Sequence, residues 1–335
     1  MERMTARRRI SLLIPFFNEA ENVAGTVARL ETVVAQLDYE FELIAVNDGS
    51  RDGTLATLEG IRSNVFSTVV VDLSRNFGKE AALTAGLEHA CGDAVIPLDA
   101  DLQDPPEIIP RLVEQWEQGY EVVLARRIDR SSDSYLKRTS ARFFYKAINS
   151  LSDVAIPDNV GDFRLMDRMV VDVLRQLPES RRFMKGLFAW AGFRTTSVDY
   201  VRSTRAAGQT KFNGWRLWNL ALEGVTSFST LPLRVWTYVG FLIALGSFLY
   251  GAFIVLRTLF IGIDVPGYAS LLAAVLFLGG IQLIGLGIVG EYLGRTYMEA
   301  KRRPSFVVRS IKKIQRRTLQ QFEPVLSNAQ VLDEH

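Results

Sequence analysis

The sequence predicts an α/β protein with a mainly parallel sheet, followed by a C-terminal hairpin of two transmembrane helices. Short apolar runs alternate with segments of helical periodicity over residues 10–125, which is the pattern of a parallel sheet covered on both faces. Residues 235–256 and 265–290 contain no charged side chain. Each of these stretches exceeds the ~20 residues that a helix needs to cross a bilayer.

The first predicted element is a strand, Ile10–Ile14, which stops at Pro15. A helix follows over Glu21–Leu37, because its apolar side chains recur at helical spacing. The second strand, Phe41–Val46, is halted by an Asn-Asp-Gly turn. The same criteria predict three further helices, Thr54–Arg62, Lys79–Ala90 and Pro106–Gln118. They alternate with three further strands, Thr68–Leu73, Ala94–Leu98 and Glu121–Ala125.

The segment from residue 126 to residue 230 is less regular. Helices are predicted over 135–151 and 168–177, and a strand over 196–202. Residues 214–228 form a possible amphipathic helix that contains Trp215 and Trp218. Two interpretations stay open for it: an ordinary surface helix, or a helix lying in the membrane interface, where tryptophan is enriched.

The apolar stretches divide the chain into four predicted parts. These are a cytoplasmic domain (1–213), a juxtamembrane helix (214–233), a hairpin with spans of about 235–256 and 268–290 (234–294), and a cytoplasmic tail (295–335). Basic residues flank the hairpin on its outer sides, which by the positive-inside rule places both termini in the cytoplasm. The alternative is a pair of buried helices in a soluble protein. We expect no signal peptide, and a multi-pass protein of the inner (plasma) membrane.

Composition narrows the possible functions. The 39 basic and 37 acidic residues nearly balance, so no overall field favours nucleic acid as a partner. A single cysteine, Cys91, excludes a disulfide within the chain, and two histidines argue against a histidine-based metal centre. Glycines at positions 279, 280, 285, 287 and 290 would permit close packing of the two spans.

Two carboxylates directly follow the fourth predicted strand. Asp99 and Asp101, with Gln103 close behind, come at its carboxyl end, where open α/β sheets bind their ligands. Carboxylates this close repel each other unless a cation or hydrogen-bond donors lie between them. Oxygen ligands of this kind suit Mg²⁺ or Mn²⁺ bridging to a diphosphate. The alternative is a polar turn that leads into a capped helix.

Polar loops follow all four of the first strands, and we expect them to converge on one rim of the sheet. Each taken alone also suits an ordinary turn or helix cap. Together, a rim with carboxylates and a lysine favours a nucleoside diphosphate over a neutral metabolite. The chain has no P-loop motif and no dinucleotide-binding glycine motif after its first strand. The loops are 15–19, 47–54, 74–79 and 99–103.

The motifs resemble those of the inverting glycosyltransferases of family 2, which have a GT-A fold. The resemblance is carried by Ile14-Pro-Phe-Phe-Asn-Glu, Val46-Asn-Asp-Gly-Ser-Arg-Asp-Gly-Thr and Leu98-Asp-Ala-Asp-Leu-Gln-Asp-Pro-Pro-Glu. It continues through Asn76-Phe-Gly-Lys, Gly161-Asp-Phe-Arg, Gly208-Gln-Thr-Lys-Phe and Gly290-Glu-Tyr-Leu-Gly-Arg. The whole pattern, over about residues 10–308, is similar to membrane-bound polyprenyl-phosphate glycosyltransferases. These include dolichol-phosphate mannose synthase and bacterial enzymes that load glucose or aminoarabinose onto undecaprenyl phosphate.

The resemblance implies a role for each matching residue. Pro15, Glu19 and Asp48 would hold the uridine or guanosine base and ribose, with Lys79 near the nucleotide. Asp99 would contact the ribose or the sugar. Mg²⁺ or Mn²⁺ on the diphosphate would be ligated by Asp101, which also counts as catalytic, and by Gln103. Asp162 would face the donor sugar or the acceptor phosphate. The predicted phosphate clamps are Arg126, Arg138, Arg142, Arg164, Arg205 and Lys211. Of these, Arg205 and Lys211, which would lie in the acceptor loop, count as catalytic, as does Asp162.

Several of these cations have a plainer interpretation. Arg138, Arg142 and Lys146 share one helix face at a spacing of four residues, which also fits a solvated stripe. Arg164 and Arg205 also fit structural salt bridges. Around Lys211, Thr210 and Phe212 stand where the family often has Ser and Tyr.

The expected reaction transfers one sugar from a nucleotide sugar, preferably a UDP-sugar, to polyprenyl (undecaprenyl) phosphate in the bilayer. Two alternatives remain at this point. One is a processive polysaccharide synthase, although the chain lacks the Gln-x-x-Arg-Trp motif of such enzymes. The other is a membrane scaffold or flippase-like partner that binds nucleotide sugar without turnover. Membrane relatives often form homo-oligomers, and we expect the same here.

Overall fold

The computed structural model describes residues 7–128, 160–177, 192–201, 231–261 and 267–317. Its centre is an eight-stranded sheet with the order β7-β5-β6-β4-β1-β2-β3-β8. The strands are β1 (Arg9–Phe16), β2 (Glu40–Asn47), β3 (Phe66–Leu73), β4 (Ala94–Pro97), β5 (Val122–Arg127), β6 (Val160–Asp167), β7 (Thr195–Tyr200) and β8 (Val308–Ile314).

Helices connect the strands and continue beyond them. They are α1 (Ala20–Val34), α2 (Thr54–Glu59), α3 (Lys79–His89), α4 (Ile109–Glu117, preceded by a 3₁₀ turn over Pro106–Ile108), α5 (Arg168–Gln176), α6 (Leu231–Ile261) and α7 (Tyr268–Ala300). The predicted helices 135–151 and 214–228 lie outside the described residues.

The prediction of a mainly parallel sheet is confirmed. β1 pairs in parallel with β2 and β4, β2 with β3, and β5 with β7. Two strands run the other way: β6 is antiparallel to β4 and β5, and β8 is antiparallel to β3. The carboxyl ends of the first four strands therefore meet on one edge of the sheet, as the polar loops indicated.

The sheet is covered on both faces, because its side chains alternate. On one face, Leu12 and Ile14 of β1 pack with Val23 and Leu30 of α1 in a fully buried cluster. On the other face, Leu13 packs among apolar side chains of α3 and α5. These two layers hold β1 and β2 rigidly, and the loops that follow them inherit that rigidity.

β6 and β8 are strands that were not predicted. β6 is interrupted by Asp162 and Arg164, so its apolar residues do not form a continuous run. β8 follows the hairpin, within residues assigned above to the tail, and five of its seven residues are exposed. Its sequence looks like a solvated basic tail, and it becomes a strand because the edge of β3 offers unpaired backbone groups.

The two long helices expose their apolar side chains. From Val235 to Phe253 none of the residues is buried, and among the described residues from Phe277 to Ala300 only Gly285 is. Core helices of a soluble protein would be covered, so this exposure argues against that alternative and supports membrane association. Gly285 is the place where α6 and α7 meet closely, since a Cβ there would overlap the Trp236 ring. The predicted packing role is thus confirmed for Gly285 alone, since a Cβ at Gly279, Gly280, Gly287 or Gly290 would meet no atom within 4 Å.

Candidate active site

A cavity of about 320 Å³ opens at the carboxyl edge of the sheet. It is built by loops that follow β1, β2, β3 and β4, and so the predicted convergence of these loops is observed. Pro15, Glu19, Asp48, Lys79, Asp99 and Asp101 all line it, as expected from the motifs. The complete lining is Pro15, Phe16, Phe17, Glu19, Asp48, Asn76, Gly78, Lys79, Asp99, Ala100 and Asp101.

The loops after β1 and β2 are tied together by side chains. Asn18, which has a positive φ of 54°, accepts a hydrogen bond from the backbone N–H of Arg51 at 2.9 Å and donates its own N–H to Ser50 at 3.0 Å. The N–H of Glu19 donates to the Thr54 hydroxyl at 2.9 Å. These bonds place Glu19 at the cavity wall, where its carboxylate accepts a hydrogen bond from the Asn22 side chain.

Asp48 clamps the loop that follows β3. Its carboxylate is buried and accepts hydrogen bonds from the backbone N–H groups of Phe77 at 2.7 Å and Gly78 at 2.9 Å. Charge-assisted bonds of this kind are about twice as strong as neutral ones. The clamp fixes the start of α3 and therefore the position of Lys79, its first residue.

Gly49 allows the β2 loop to pass against the β3 loop. Its φ is +63°, and a Cβ there would overlap the backbone of Arg75 and Asn76. We expect Gly49→Ala to lower the free energy of unfolding by at least about 2 kcal/mol, because a left-handed backbone and a steric overlap are both penalised. The measurement is the thermal unfolding midpoint in detergent.

Gly25→Ala is the matched control for this substitution. Gly25 lies within α1 with no atom within 4 Å of an added Cβ, so alanine is expected to stabilise the helix by about 0.5–1 kcal/mol. Equal midpoints for the two variants would contradict the account of the Gly49 contact.

Lys79 lies between two carboxylates: Asp99, which lines the cavity, and Asp162, which lies outside the lining. Its Nζ is 2.5 Å from Asp99 Oδ1 and 2.7 Å from Asp162 Oδ2. Burial alone lowers the pKa of Lys79, but the two carboxylates outweigh it and the net pKa is raised. Burial raises the pKa of Asp99, against the opposing effect of Lys79. Lys79 therefore stays charged and neutralises a site that would otherwise hold two facing anions.

Asp101 is the exposed carboxylate of the site. Its Oδ1 accepts a hydrogen bond from the backbone N–H of Gln103 at 3.2 Å, which leaves the rest of the carboxylate facing the cavity. Leu102 between them has a φ of +43°, a backbone strain of order 1 kcal/mol that is typical of functional sites. Gln103, the other predicted metal ligand, is buried with 9% of its surface exposed and lies outside the cavity lining, two residues from Asp101.

A metal ion fits this segment if a bound phosphate ligand supplies further oxygen atoms to it. Among the residues described, no group of three His, Cys, Asp or Glu side chains could enclose a cation. A carboxylate that is open to a cavity suits Mg²⁺, which commonly keeps only one or two protein carboxylates and takes further oxygens from a substrate diphosphate. The residues present fit a cation shared with a phosphate ligand.

The predicted clamp Arg164 is buried rather than presented to solvent. Its guanidinium donates to the carbonyl of Gly161 at 2.6 Å and to that of Asp162 at 3.4 Å. Burial lowers the pKa of Arg164 to about 10, against the attraction of Asp162 and Glu80, so it is charged at neutral pH. Arg164 therefore holds the backbone that carries Asp162.

Arg126 lies outside the cavity lining. It makes two parallel hydrogen bonds to Asp199, at 2.6 and 2.9 Å, and the pKa of Asp199 is lowered by them. Its use as a phosphate clamp stays a prediction. The other predicted cations, Arg138, Arg142, Lys146, Arg205 and Lys211, lie outside the described residues.

The sequence motifs assigned no role to some residues of the site, although Phe17 and Asn76 lie in the predicted loops 15–19 and 74–79. Phe17 lines the cavity with 44% of its surface exposed, and Asn76 lines it as well. Asp104, directly after the motif, is buried and accepts a hydrogen bond from Tyr200 at 2.6 Å. The sequence offered one signal for these residues, an aromatic side chain before Asn-Glu in a strand-to-helix loop. This signal indicates Phe17.

A mainly parallel sheet with an acidic, lysine-containing cavity at its carboxyl edge, followed by two apolar helices, is the architecture of a membrane-associated glycosyltransferase. The chain belongs to glycosyl transferase family 2, which residues 11–175 match. Residues 231–296 match a second family, the GtrB C-terminal hairpin.

Curated relatives match the chain over most of its length. The prophage bactoprenol glucosyl transferase homolog of Escherichia coli (strain K12) is 52% identical over 91% of this chain and 100% of its own length. The bactoprenol glucosyl transferase of Shigella phage SfV is also 52% identical, over 91% and 99%.

A likeness to a solved structure is more distant. Glucosyl-3-phosphoglycerate synthase from Mycobacterium tuberculosis, in complex with Mn²⁺, uridine diphosphate and glucosyl-3-phosphoglycerate, is 20% identical with a TM-score of 0.44. The match covers 65% of this chain and 78% of that chain.

Proposed function

We propose that this glycosyltransferase transfers one glucosyl unit from a nucleoside diphosphate glucose to undecaprenyl phosphate, at the cytoplasmic face of the membrane. The observation that carries the proposal is the cavity that contains Lys79, Asp99 and Asp101, on a chain whose next domain is an apolar hairpin. The relatives named bactoprenol glucosyl transferases support glucose as the sugar and this lipid as the acceptor.

The acceptor phosphate supplies its own nucleophile. A phosphate monoester has a second pKa of about 6, so it is largely a dianion at neutral pH and needs little help from a general base. We infer a single in-line displacement with inversion. The bond from a phosphate oxygen to the anomeric carbon forms as the bond from that carbon to the diphosphate oxygen breaks, and the nucleoside diphosphate leaves with the electron pair.

We assign the nucleoside end of the donor to Pro15, Glu19 and Asp48. Asp48 holds the loop of Phe77 and Gly78 through its own hydrogen bonds, so it shapes the cavity as well as lining it. Asp99 would then contact the ribose or the sugar.

Lys79 and Asp162 form the reacting end of the site. Lys79 is the cationic side chain among the described residues of the cavity lining, and we assign to it the electrostatic stabilisation of negative charge on the donor phosphates. Asp162 is held by Lys79 at its carboxylate and by Arg164 at its backbone carbonyl. We assign it to orienting the sugar or the acceptor, and Arg164 to positioning Asp162.

Asp101 and Gln103 would hold Mg²⁺ or Mn²⁺ at the diphosphate. When bound, such an ion acts as a Lewis acid that stabilises the leaving diphosphate. The protein contributes the exposed carboxylate of Asp101 and the turn at Leu102 that aims it.

The hairpin explains how the site meets a lipid. Moving a polyprenyl chain into water costs about 0.8 kcal/mol per CH₂, so the site must come to the membrane. Residues 301–307 join the end of α7 to β8, and Val308 pairs with Leu73 at the site edge of the sheet. Seven residues reach at most ~25 Å, so this edge of the sheet lies within about that distance of the C-terminal end of α7. A homo-oligomer stays a prediction.

A donor panel tests the proposal. Purified protein in detergent is mixed with undecaprenyl phosphate, Mg²⁺ or Mn²⁺, and UDP- or GDP-linked glucose, mannose, N-acetylglucosamine and aminoarabinose; lipid products are weighed by mass spectrometry. We expect one hexose per lipid from UDP-glucose, in the anomeric configuration opposite to the donor. Several sugars per lipid would indicate a processive enzyme, and nucleotide binding without product would indicate the scaffold alternative.

A further inference from the structure

Asp72 is a buried carboxylate near the carboxyl end of β3 that the proposed reaction does not use. Its side chain is 2% exposed. Oδ1 accepts a hydrogen bond from the side chain of Asn47 at 2.7 Å, and Oδ2 lies 3.2 Å from the guanidinium of Arg309. A buried charge is strongly unfavourable without such partners. Arg309 comes from β8, the strand that follows the membrane hairpin.

Arg309 reaches Asp72 because the β3–β8 ladder is irregular at this point. Asp72 pairs with Ser310 and Leu73 pairs with Val308, so Arg309 is the extra residue of a bulge. Bulges re-aim a side chain and are frequent next to active sites. The same guanidinium donates to the carbonyl of Ser74 at 2.7 Å.

Both partners of Arg309 lead into loops of the cavity. Asn47, which holds Asp72, is the residue before Asp48, and its side-chain oxygen also accepts from the N–H of Ser50 at 3.3 Å. Ser74 begins the loop that Asp48 clamps. Arg309 therefore connects two cavity loops that come from different strands.

We propose that Arg309 is a positioning residue of the donor site: through Asp72 and Ser74 it holds the loops after β2 and β3 in their binding geometry. The backbone adds a third link, since the N–H of Ser74 donates to the carbonyl of Val307 at 2.9 Å. The segment that follows the two apolar helices thus supports the cavity loops through Arg309 and Val307. This inference rests on the proposed function and adds a residue from the C-terminal strand to its machinery.

The test compares Arg309→Gln with Lys312→Gln in the full-length protein. Lys312 lies on the same strand and forms an ion pair with Glu59 at 2.9 Å, in which the carboxylate side chain is 34% exposed, against 2% for Asp72. The readouts are UDP binding with Mn²⁺ by calorimetry, and KM and kcat for UDP-glucose with undecaprenyl phosphate. Arg309→Lys is the conservative variant, since it keeps the charge opposite Asp72.

Arg309→Gln is expected to weaken UDP binding and raise the donor KM about tenfold, as the loss of charged hydrogen bonds implies, while kcat at saturating donor stays within about twofold. Arg309→Lys is expected to recover most of this loss. Lys312→Gln should change both constants by less than twofold.

Equal donor affinity in Arg309→Gln and Lys312→Gln would overturn the proposal, and so would a lowered thermal midpoint with an unchanged KM. If Arg309→Gln does not fold, Arg309→Lys is compared with Lys312→Gln instead. A residual rise in donor KM of about two- to threefold with unchanged kcat supports the positioning role, and a donor KM equal to that of Lys312→Gln overturns it. A wild-type protein that binds UDP but makes no lipid product would refute the proposed function alone.

Discussion

Replacing Lys79 by Met is expected to reduce glucosyl transfer by about 10²-fold or more. Lys79 contacts Asp99 and Asp162 together, and in the described part of the cavity lining it is the cationic side chain. Removing it takes away the charge that we assign to the donor phosphates, and losing one such preorganised group costs about 10²–10³ in kcat. The measurement is the initial rate of lipid glucosylation at saturating donor and acceptor.

The same variant has a predicted pH signature. Without Lys79, the pKa of Asp99, already raised by burial, rises further, because Asp162 then repels it without compensation. A carboxyl group with a raised folded-state pKa binds more protons when folded than when unfolded, so stability falls as pH rises through that interval. The midpoint difference between wild type and Lys79→Met should therefore be larger at pH 7.5 than at pH 5.

Lys313→Met provides the control for lost charge, since Lys313 is an exposed residue of β8. Its rate and its pH dependence should match the wild type. If Lys79→Met kept more than a tenth of wild-type activity, the assignment of Lys79 to the reacting end of the site would be wrong.

Replacing Asp101 by Asn is expected to lower the rate by about 10²–10³-fold and to weaken metal-dependent nucleotide binding. Asn keeps the size of the side chain and an oxygen that can accept from Gln103 N–H, so the turn at Leu102 is retained. What is lost is the negative charge. The measurement is UDP binding by calorimetry with and without Mn²⁺, beside the transfer rate.

Glu107→Gln makes the same chemical change at an exposed ion pair with Arg29, away from the cavity lining. It should leave both readouts within about twofold of the wild type. If Asp101→Asn bound UDP with an undiminished response to Mn²⁺, the assignment of Asp101 to the metal would be wrong.

The cavity was largely predictable, because its residues stand at the ends of strands. Asp48, Asp99 and Asp101 each follow an apolar run, and parallel strands bring such positions to one edge. No tertiary knowledge was needed beyond the direction of the strands. The contact of Lys79 with Asp162 could not be predicted in this way. It depends on β6 entering the sheet antiparallel to β4, which the sequence of β6 does not show.

Arg164 and Arg309 show what a sequence leaves undetermined. Both are cations near polar residues, but the pattern does not reveal their partners. Arg164 turned out to be buried against backbone carbonyls, while Arg309, within an apparently solvated basic stretch, reaches a buried carboxylate. The strand that carries Arg309 exists because an edge of β3 was available to it, which is a property of the folded sheet rather than of β8.

The measurement that tests the central claim most directly is single-turnover transfer in lipid nanodiscs. Wild-type protein is mixed with radiolabelled UDP-glucose, Mn²⁺ and undecaprenyl phosphate, and label in the organic phase is counted against time beside Asp101→Asn. The account predicts one labelled hexose per acceptor in the wild type and a rate at least about 10²-fold lower in the variant. Label that stays in the aqueous phase with the wild type, or equal rates for the two proteins, would contradict it.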